Sequence, residues 1–234
     1  MSKGEKLDQL VADQLQAALR GAVVGREIIL LEETGSTNDA IWRIASTEGV
    51  PSIREGLVVF AEHQTAGRGQ RGNRWESTAG KGLWFSILLR PRIPIGDSGQ
   101  LTIWAIKAMS DVIRIEFGLE PAIKLPNDVR LLGRKVAGVL VEMRAQDEAP
   151  HVAVVGVGIN VNQCREDFPG DLQDQAISLA MALGRQVERH NFALALLRNF
   201  DRTYRQTFSK GVTSNSSPAP TTTRDKRVAK FPMA

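Results

Sequence analysis

A glycine-rich loop at residues 67–75, GRGQRGNRW, carries three arginines, Arg68, Arg71 and Arg74. Glycine allows backbone N–H groups to approach an anion closely, and guanidinium groups bind phosphate or carboxylate oxygens in pairs. The pattern therefore predicts an anion-binding loop that becomes ordered when its ligand arrives. The alternative, on spacing alone, is a solvated surface loop that is basic.

The same loop formally matches GxGxxG, but it fits neither standard nucleotide motif. Gly72 is followed by NRWESTAGKG, a polar segment that cannot begin the packed helix required by the dinucleotide fingerprint. A P-loop requires Lys followed by Ser or Thr where Asn73 and Arg74 stand. Both motifs are excluded.

A second group of polar residues comes from KLPND at 124–128 and KVAG at 135–138. Pro126 ends a short strand and starts a rigid turn, and Lys135 opens an apolar strand. Two lysines, Lys124 and Lys135, and the carboxylate of Asp128 at one end of a sheet suit phosphate and magnesium chemistry. A plain hairpin with polar turn residues is the alternative.

Two shorter motifs could contact a ligand. STND at 36–39 offers hydroxyl and amide groups that could read a neutral polar ring, although it could equally be a helix N-cap. GVGIN at 156–160 ends a buried strand with two glycines, which permits close approach of a ligand or of another backbone. Trp75 is the aromatic residue placed to close over a ligand, whereas Trp42, Trp84 and Trp104 lie in apolar segments and are expected in the core.

Hydrophobic periodicity predicts strands joined partly by hairpins and partly by helices. This pattern predicts an α+β fold with a mixed β-sheet flanked by helices. The predicted helices span 6–20, 39–46, 100–118, 174–183 and 188–208; the predicted strands span 27–32, 56–62, 82–90, 122–125 and 151–162, with a hairpin over 127–144 that turns at Gly133.

Composition places the chain among globular proteins. Of 234 residues, 42% are hydrophobic and 24% are charged, and no apolar run reaches the length of a membrane span. The N-terminus lacks the apolar region of a secretory signal. A single cysteine and three scattered histidines predict no structural metal. We therefore expect a soluble, cytoplasmic protein with no membrane partner.

The net charge of +4 is concentrated at the C-terminus. Residues 214–234 contain four basic residues and one acidic residue, which leaves a charge of +1 for residues 1–213. Because a nucleic-acid binder needs a broad basic surface, we expect no nucleic-acid partner.

In order along the chain, STND, EHQTAGRGQRGNRW, KGLWFSILL, KLPNDV, GRKVAGVLVE and GVGINVN closely resemble biotin–protein ligases over roughly residues 27–208. The resemblance implies a catalytic domain related to class II aminoacyl-tRNA synthetases. It implies that biotin and ATP, with Mg²⁺, form biotinyl-5'-adenylate. The biotinyl group then passes to a lysine of a biotin carboxyl carrier protein, such as the acetyl-CoA carboxylase subunit. The resemblance is also compatible with a homodimer of this chain.

The resemblance also implies roles for individual residues of this sequence. The implied catalytic residues are Lys135, Arg68, Lys124 and Asp128. Biotin would be bound by Ser36, Thr37, Asn38, Gln64, Arg68, Gly69, Gln70, Lys135 and Gly138. ATP would be bound by Arg71, Arg74, Trp75, Asn127 and Asn160.

This sequence departs from the family at several points. Gln70 and Asn73 stand where the family loop often has arginine, and Leu125 stands where the family has tryptophan. About 26 residues precede the first strand, too few for a helix-turn-helix, so no repressor role is expected. The expected domain covers residues 1–213. Residues 214–234 are expected to form a disordered Ser/Pro/Thr tail where the family usually has a small β domain.

Two alternatives come from other classes of protein. One is a lipoate or octanoate ligase or transferase of related fold, although the sequence lacks the glycine-rich pocket motif expected for it. The other is a biotin-binding protein without catalytic activity.

Overall fold

A computed structural model describes residues 8–48, 54–146 and 150–208. The helices are α1 (Ala12–Ala18), α2 (Thr37–Glu48), α3 (Gly99–Phe117), α4 (Leu179–Leu183) and α5 (Arg189–Phe208). The strands are β1 (Glu27–Thr34), β2 (Leu57–Gln64), β3 (Gly82–Leu89), β4 (Ala122–Lys124), β5 (Asp128–Leu131), β6 (Arg134–Arg144) and β7 (Val152–Asn160). The predicted tail at 214–234 lies outside the described residues.

The seven strands form one mixed sheet in the order β1-β2-β3-β7-β6-β5-β4. Only β1 and β2 run parallel, joined through α2, and the other neighbours are antiparallel. The predicted α+β mixed sheet flanked by helices is therefore confirmed. Gly133, with φ of 77°, lies at the predicted hairpin turn, and Gly118, with φ of 64°, ends α3 as predicted.

The two faces of the sheet are covered differently. Helices α1, α3 and α5 pack on one face, where the main core includes Phe85, Trp104 and Phe200. Helix α2 covers part of the other face, where Trp42 and Ile41 pack on strand residues such as Val154. The remainder of that second face carries polar residues and glycines, and it holds the candidate site.

Two helix predictions were wrong in part. Residues 8–11 are not helical, because the Asp8 carboxylate accepts hydrogen bonds from the backbone N–H of Arg189, at 2.8 Å, and from its Nε, at 3.1 Å. Residues 174–178 are not helical either. The backbone there bonds to β6 instead: Lys135 N–H donates to the carbonyl of Gln175 at 2.7 Å, and Ile177 N–H donates to the carbonyl of Lys135 at 3.0 Å.

Candidate active site

Three glycines form the floor of the site on the second face of the sheet. Gly138 of β6 and Gly158 of β7 are cross-strand partners, and Gly156 is paired with Ser86 of β3. A Cβ on Gly158 would lie 2.5 Å from the indole ring of Trp75, and one on Gly156 would collide with the amide of Asn38. The glycines of GVGIN therefore admit close approach by side chains from above the sheet.

One end of this floor is a buried polar cluster built from α2, β2 and β3. The Oε1 of Gln64 accepts from the backbone N–H of Thr37 at 2.9 Å and from its hydroxyl at 3.2 Å. The hydroxyl of Ser86 lies 2.7 Å from that of Thr37 and 2.6 Å from Oδ1 of Asn38. The amide nitrogen of Asn38 is buried and has no acceptor within the described part of the chain, so it is available to a ligand.

The arginine loop is a small hairpin. Gly69 N–H donates to the carbonyl of Asn73 at 2.7 Å, and Trp75 N–H donates to the carbonyl of Gly67 at 3.0 Å. The tip carries Arg71, exposed and in the left-handed region with φ of 58°. The hairpin places the indole of Trp75 against Gly158 and Gly138.

Arg68, at the base of the loop, is held by two carboxylates. It donates to Asp39 of α2 and, through Nη2, to Oε1 of Glu142 at 2.8 Å. The hydrogen bond to Asp39 and then that to Glu142 raise the pKa of the Arg68 guanidinium above its ordinary value, against the opposing effect of partial burial. Arg68 is therefore a fixed cation beside the floor.

Lys135 lies at the centre of the site. Its Nζ is 2.6 Å from Oδ1 of Asp128 and 5.2 Å from the ring centroid of Trp75. A cation at that distance is attracted by the face of the indole. Lys135 is therefore positioned by a carboxylate on one side and an aromatic ring on the other.

These residues line a first cavity with a free volume of about 40 Å³. At that size it holds little more than water unless the indole of Trp75 moves. Its lining consists of Ser36, Thr37, Asn38, Gln64, Arg68, Gly69, Trp75, Asn127, Lys135, Gly138, Val139, Leu140, Gly156, Val157 and Gly158.

A second cavity of about 490 Å³ adjoins the first, and Trp75 and Lys135 line both. It carries more charge than the first, with three basic and three acidic residues in its lining. The lining residues are Asn73, Arg74, Trp75, Glu76, Asp128, Arg130, Lys135, Asn160, Phe168, Pro169, Asp171, Leu172, Gln175 and Ala176.

The structure brings most of the predicted site residues together, but not all. Lys124 is exposed on the edge strand β4, opposite Asp128 in the ladder, and lines neither cavity. Gln70 and Arg71, at the loop tip, also lie outside both linings. Asn127 and Asn160 are anchored to backbone carbonyls, Asn127 to that of Val139 at 3.0 Å.

Four features of the site were missed in the sequence. Ser86, Asp39 and Glu142 contact predicted site residues, and residues 168–176 form one wall of the second cavity. Ser86 is the single polar residue in LWFSILL, and this was a signal that could have identified it. Nothing in the spacing of Glu142 indicated its contact with Arg68.

Among residues 8–48, 54–146 and 150–208, no three His, Cys, Asp or Glu side chains are grouped closely enough to hold a metal ion. Within the same ranges, no helix combines the length and the apolar character needed to cross a bilayer.

Comparison with known proteins identifies the family. Residues 31–160 match the model of the biotin/lipoate A/B protein ligase family. The chain is 35% identical over 209 residues to the bifunctional ligase/repressor BirA of Bacillus subtilis, covering 89% of this chain and 63% of that protein. It is 34% identical over 196 residues to the biotin–(acetyl-CoA-carboxylase) ligase of Mycobacterium tuberculosis, covering 80% of this chain and 69% of the relative.

Among solved structures, the chain is similar to the biotin protein ligase of Aquifex aeolicus in complex with biotin and ATP. The TM-score is 0.65 at 29% identity, over 78% of this chain and 72% of that one. The chain therefore belongs to the biotin/lipoate A/B protein ligase family, and the resemblance to biotin–protein ligases drawn from its motifs is confirmed. It spans 63% of the length of the Bacillus protein.

Proposed function

We propose that this chain joins biotin to ATP, forms biotinyl-5'-adenylate and transfers the biotinyl group to a lysine of a biotin carboxyl carrier protein. The observation that carries the proposal is the meeting of two cavities at Lys135 and Trp75. One cavity is small and ends in buried hydrogen-bonding groups, and the other is large and lined by charged residues of both signs, three of them basic. A ring ligand and a nucleotide bound in them would meet at Lys135.

The first cavity suits the ureido ring of biotin. That ring is neutral and presents two N–H donors and one carbonyl acceptor. Ser36 and Thr37 offer hydroxyl groups that donate or accept, and Asn38 offers its unpaired amide nitrogen, while the buried Ser86 holds Thr37 and Asn38 in place. A lipoyl dithiolane or an octanoyl chain would leave these buried groups without partners, which costs binding energy.

The chemistry of the first step requires the observed cations. The biotin carboxylate attacks the α-phosphorus of ATP, a C–O–P bond forms, and the bond to pyrophosphate breaks. Two anions must approach one another, and Lys135 and Arg68 would offset their repulsion. The Mg²⁺ that accompanies ATP would neutralise the departing pyrophosphate. No proton is transferred in this step, because the attacking carboxylate is already ionised.

In the second step, the neutral amine of the carrier lysine attacks the acyl carbon and AMP leaves with the C–O bond electrons. The amine loses a proton as the amide forms. Until the carrier arrives, the mixed anhydride must be protected from water. The arginine loop, with Trp75 over the floor, would cover it.

The test is ATP–pyrophosphate exchange with biotin, lipoate or octanoate as the acid. We expect exchange that depends on biotin and Mg²⁺. Exchange driven by lipoate or octanoate but not biotin would identify an acyl ligase of the same family. Tight biotin binding with no exchange would identify a binding protein, and either result would reject the proposal.

A further inference from the structure

Two of the three basic residues lining the second cavity are paired within it. Arg74 lies 3.1 Å from Glu76, and Lys135 lies 2.6 Å from Asp128. Arg130, on β5, has no carboxylate partner among the residues that the structure describes, although Asp171 lines the same cavity. Arg130 is therefore the basic group of this cavity left to meet an anion from solution.

The hairpin fixes Arg130 directly beside Lys135. The two residues are cross-strand partners on β5 and β6, so their side chains leave the same face of the sheet. Like charges in such a pair repel one another; Asp128 offsets part of that repulsion at Lys135, and an anion bound beside Arg130 would offset the rest. The same turn also restrains the arginine, because its Nη1 donates to the carbonyl of Gly133 at 2.7 Å.

A second observation concerns Nε of Arg130, which is buried and has no acceptor among the residues that the structure describes. Buried N–H groups are nearly always hydrogen-bonded, and one that is not requires an explanation. Because Nε is buried, a phosphate oxygen would first reach the terminal N–H groups of this restrained guanidinium, and a small shift of the side chain would let Nε share the contact.

We propose that Arg130 binds the phosphate chain of the nucleotide in the second cavity, supplying a charge that Asn73 does not. Asn73 lines the same cavity and stands where the family loop often has arginine. The cation would thus come from the β5–β6 hairpin instead of the loop. This inference rests on the proposed function for the identity of its ligand, ATP.

The experiment measures equilibrium binding of ATP with Mg²⁺, and of adenosine, to the full chain and to Arg130→Gln. We expect ATP to bind about tenfold more weakly to the variant, because one charge-assisted contact is lost. Adenosine, which has no phosphate, and biotin should bind equally to both proteins. Arg130→Lys should recover part of the ATP affinity. The matched control is Arg134→Gln, on the same hairpin but outside both cavities, which should bind ATP normally.

The double variant Asn73→Arg, Arg130→Gln tests whether an arginine in the loop can replace Arg130 as the cation that binds phosphate. Arginine at position 73 should restore most of the ATP affinity lost in Arg130→Gln. Equal ATP affinities in the wild type and Arg130→Gln would overturn the inference. So would a parallel loss of adenosine and biotin binding, which would indicate a structural role.

Because binding requires no turnover, failure of the proposed function can be separated from failure of this inference. Wild-type protein that binds ATP but shows no biotin-driven exchange would contradict the function alone. Wild-type protein that does not bind ATP would overturn both.

Discussion

Arg68 and Glu142 are joined across the sheet by a hydrogen bond of 2.8 Å from Nη2 to Oε1. The other oxygen of that carboxylate accepts from the indole N–H of Trp42, also at 2.8 Å, and the guanidinium of Arg144 lies 3.9 Å from the centroid of the same ring. Asp39 binds Arg68 from α2. An anionic ligand must therefore share Arg68 with two carboxylates or displace them.

We expect Asp39→Asn to strengthen binding of biotinyl-adenylate by up to about fivefold. The amide oxygen still accepts from Arg68, but the competing charge is gone, and exposed ion pairs of this kind contribute only about 0.2–1 kcal/mol. The measurement is the dissociation rate of the adenylate. Asp111→Asn, which removes a surface partner of Arg114 on α3, is the matched control. Faster dissociation from Asp39→Asn would mean that Asp39 orients Arg68 for binding and does not compete with the ligand.

Lys135→Ala and Arg68→Ala should each lower the rate of biotin-driven pyrophosphate exchange by about 10²–10³, because each removes a cation that faces developing negative charge. Melting temperatures should stay close to that of the wild type. Lys107→Ala, an exposed lysine on α3, should leave exchange unchanged. Near-normal exchange in both site variants would show that the arginine loop and Lys135 are not catalytic.

Ser86→Ala should weaken biotin binding by about tenfold, or about 1.4 kcal/mol, because the hydroxyl that contacts both Thr37 and Asn38, and so positions them for the ligand, is lost. Calorimetric titration with biotin measures the change. Ser110→Ala is the control, since its hydroxyl is buried on α3 without a partner and its removal should not affect binding. Unchanged affinity in Ser86→Ala would place biotin elsewhere.

Biotin should change tryptophan fluorescence through Trp75. The first cavity is too small for a bicyclic ring until this indole leaves the glycine floor, whereas Trp42, Trp84 and Trp104 are at most 6% exposed. The emission change should be largely absent in Trp75→Phe and retained in Trp104→Phe. An undiminished change in Trp75→Phe would contradict movement of the indole.

Asp167 should make stability depend on pH in the acid range. Burial opposes ionisation, but hydrogen bonds from Cys164 and Lys81 outweigh it and hold the pKa of Asp167 below its ordinary value. The ionised form is therefore favoured by folding. The stabilisation of the fold by ionised Asp167 is complete above about pH 4–5, the ordinary range of a carboxyl pKa. It is lost as the pH falls through the pKa of Asp167 in the folded protein, which is lower.

At neutral pH, Asp167→Asn should accordingly melt about 2–4 °C below the wild type, for a loss of roughly 1 kcal/mol. The two melting temperatures should converge as the pH falls below the lowered pKa of Asp167. Asp174→Asn, at an exposed ion pair with Arg165, should match the wild type throughout. A constant difference at every pH would assign the effect to packing.

The central strands could be predicted because they bury continuous apolar runs: β2 is buried at its first five positions and β3 at all eight. The non-helical conformation of residues 174–178 could not be predicted, because Ala176 and Ile177 fit the apolar pattern of the helix predicted over 174–183. Their burial comes instead from pairing with β6 near Lys135, a contact between segments about 40 residues apart. Local periodicity carries no information about such a contact.

For the site, the motifs identified the residues that line the cavities better than the residues that hold those side chains in place. Arg68 lies in a glycine-rich loop and Lys135 opens an apolar strand, so both charged residues could be chosen from the sequence. Glu142 lies on β6, whose sequence pattern is that of an ordinary strand. The register of β6 against β7, together with the position of α2, brings its carboxylate to Arg68. Register is set by the whole sheet.

The glycines at 138, 156 and 158 alternate along their strands with Val139, Val157 and Ile159, whose side chains lie in the main core on the opposite face. A methyl group on Gly156 or Gly158 would displace the Asn38 amide or the Trp75 indole above the sheet, while the core contacts of the neighbouring residues stayed in place. These positions are therefore constrained by the site and not by the core beneath it. In Gly158→Ala we expect the indole to move away from the floor with little change in the packing of the opposite face.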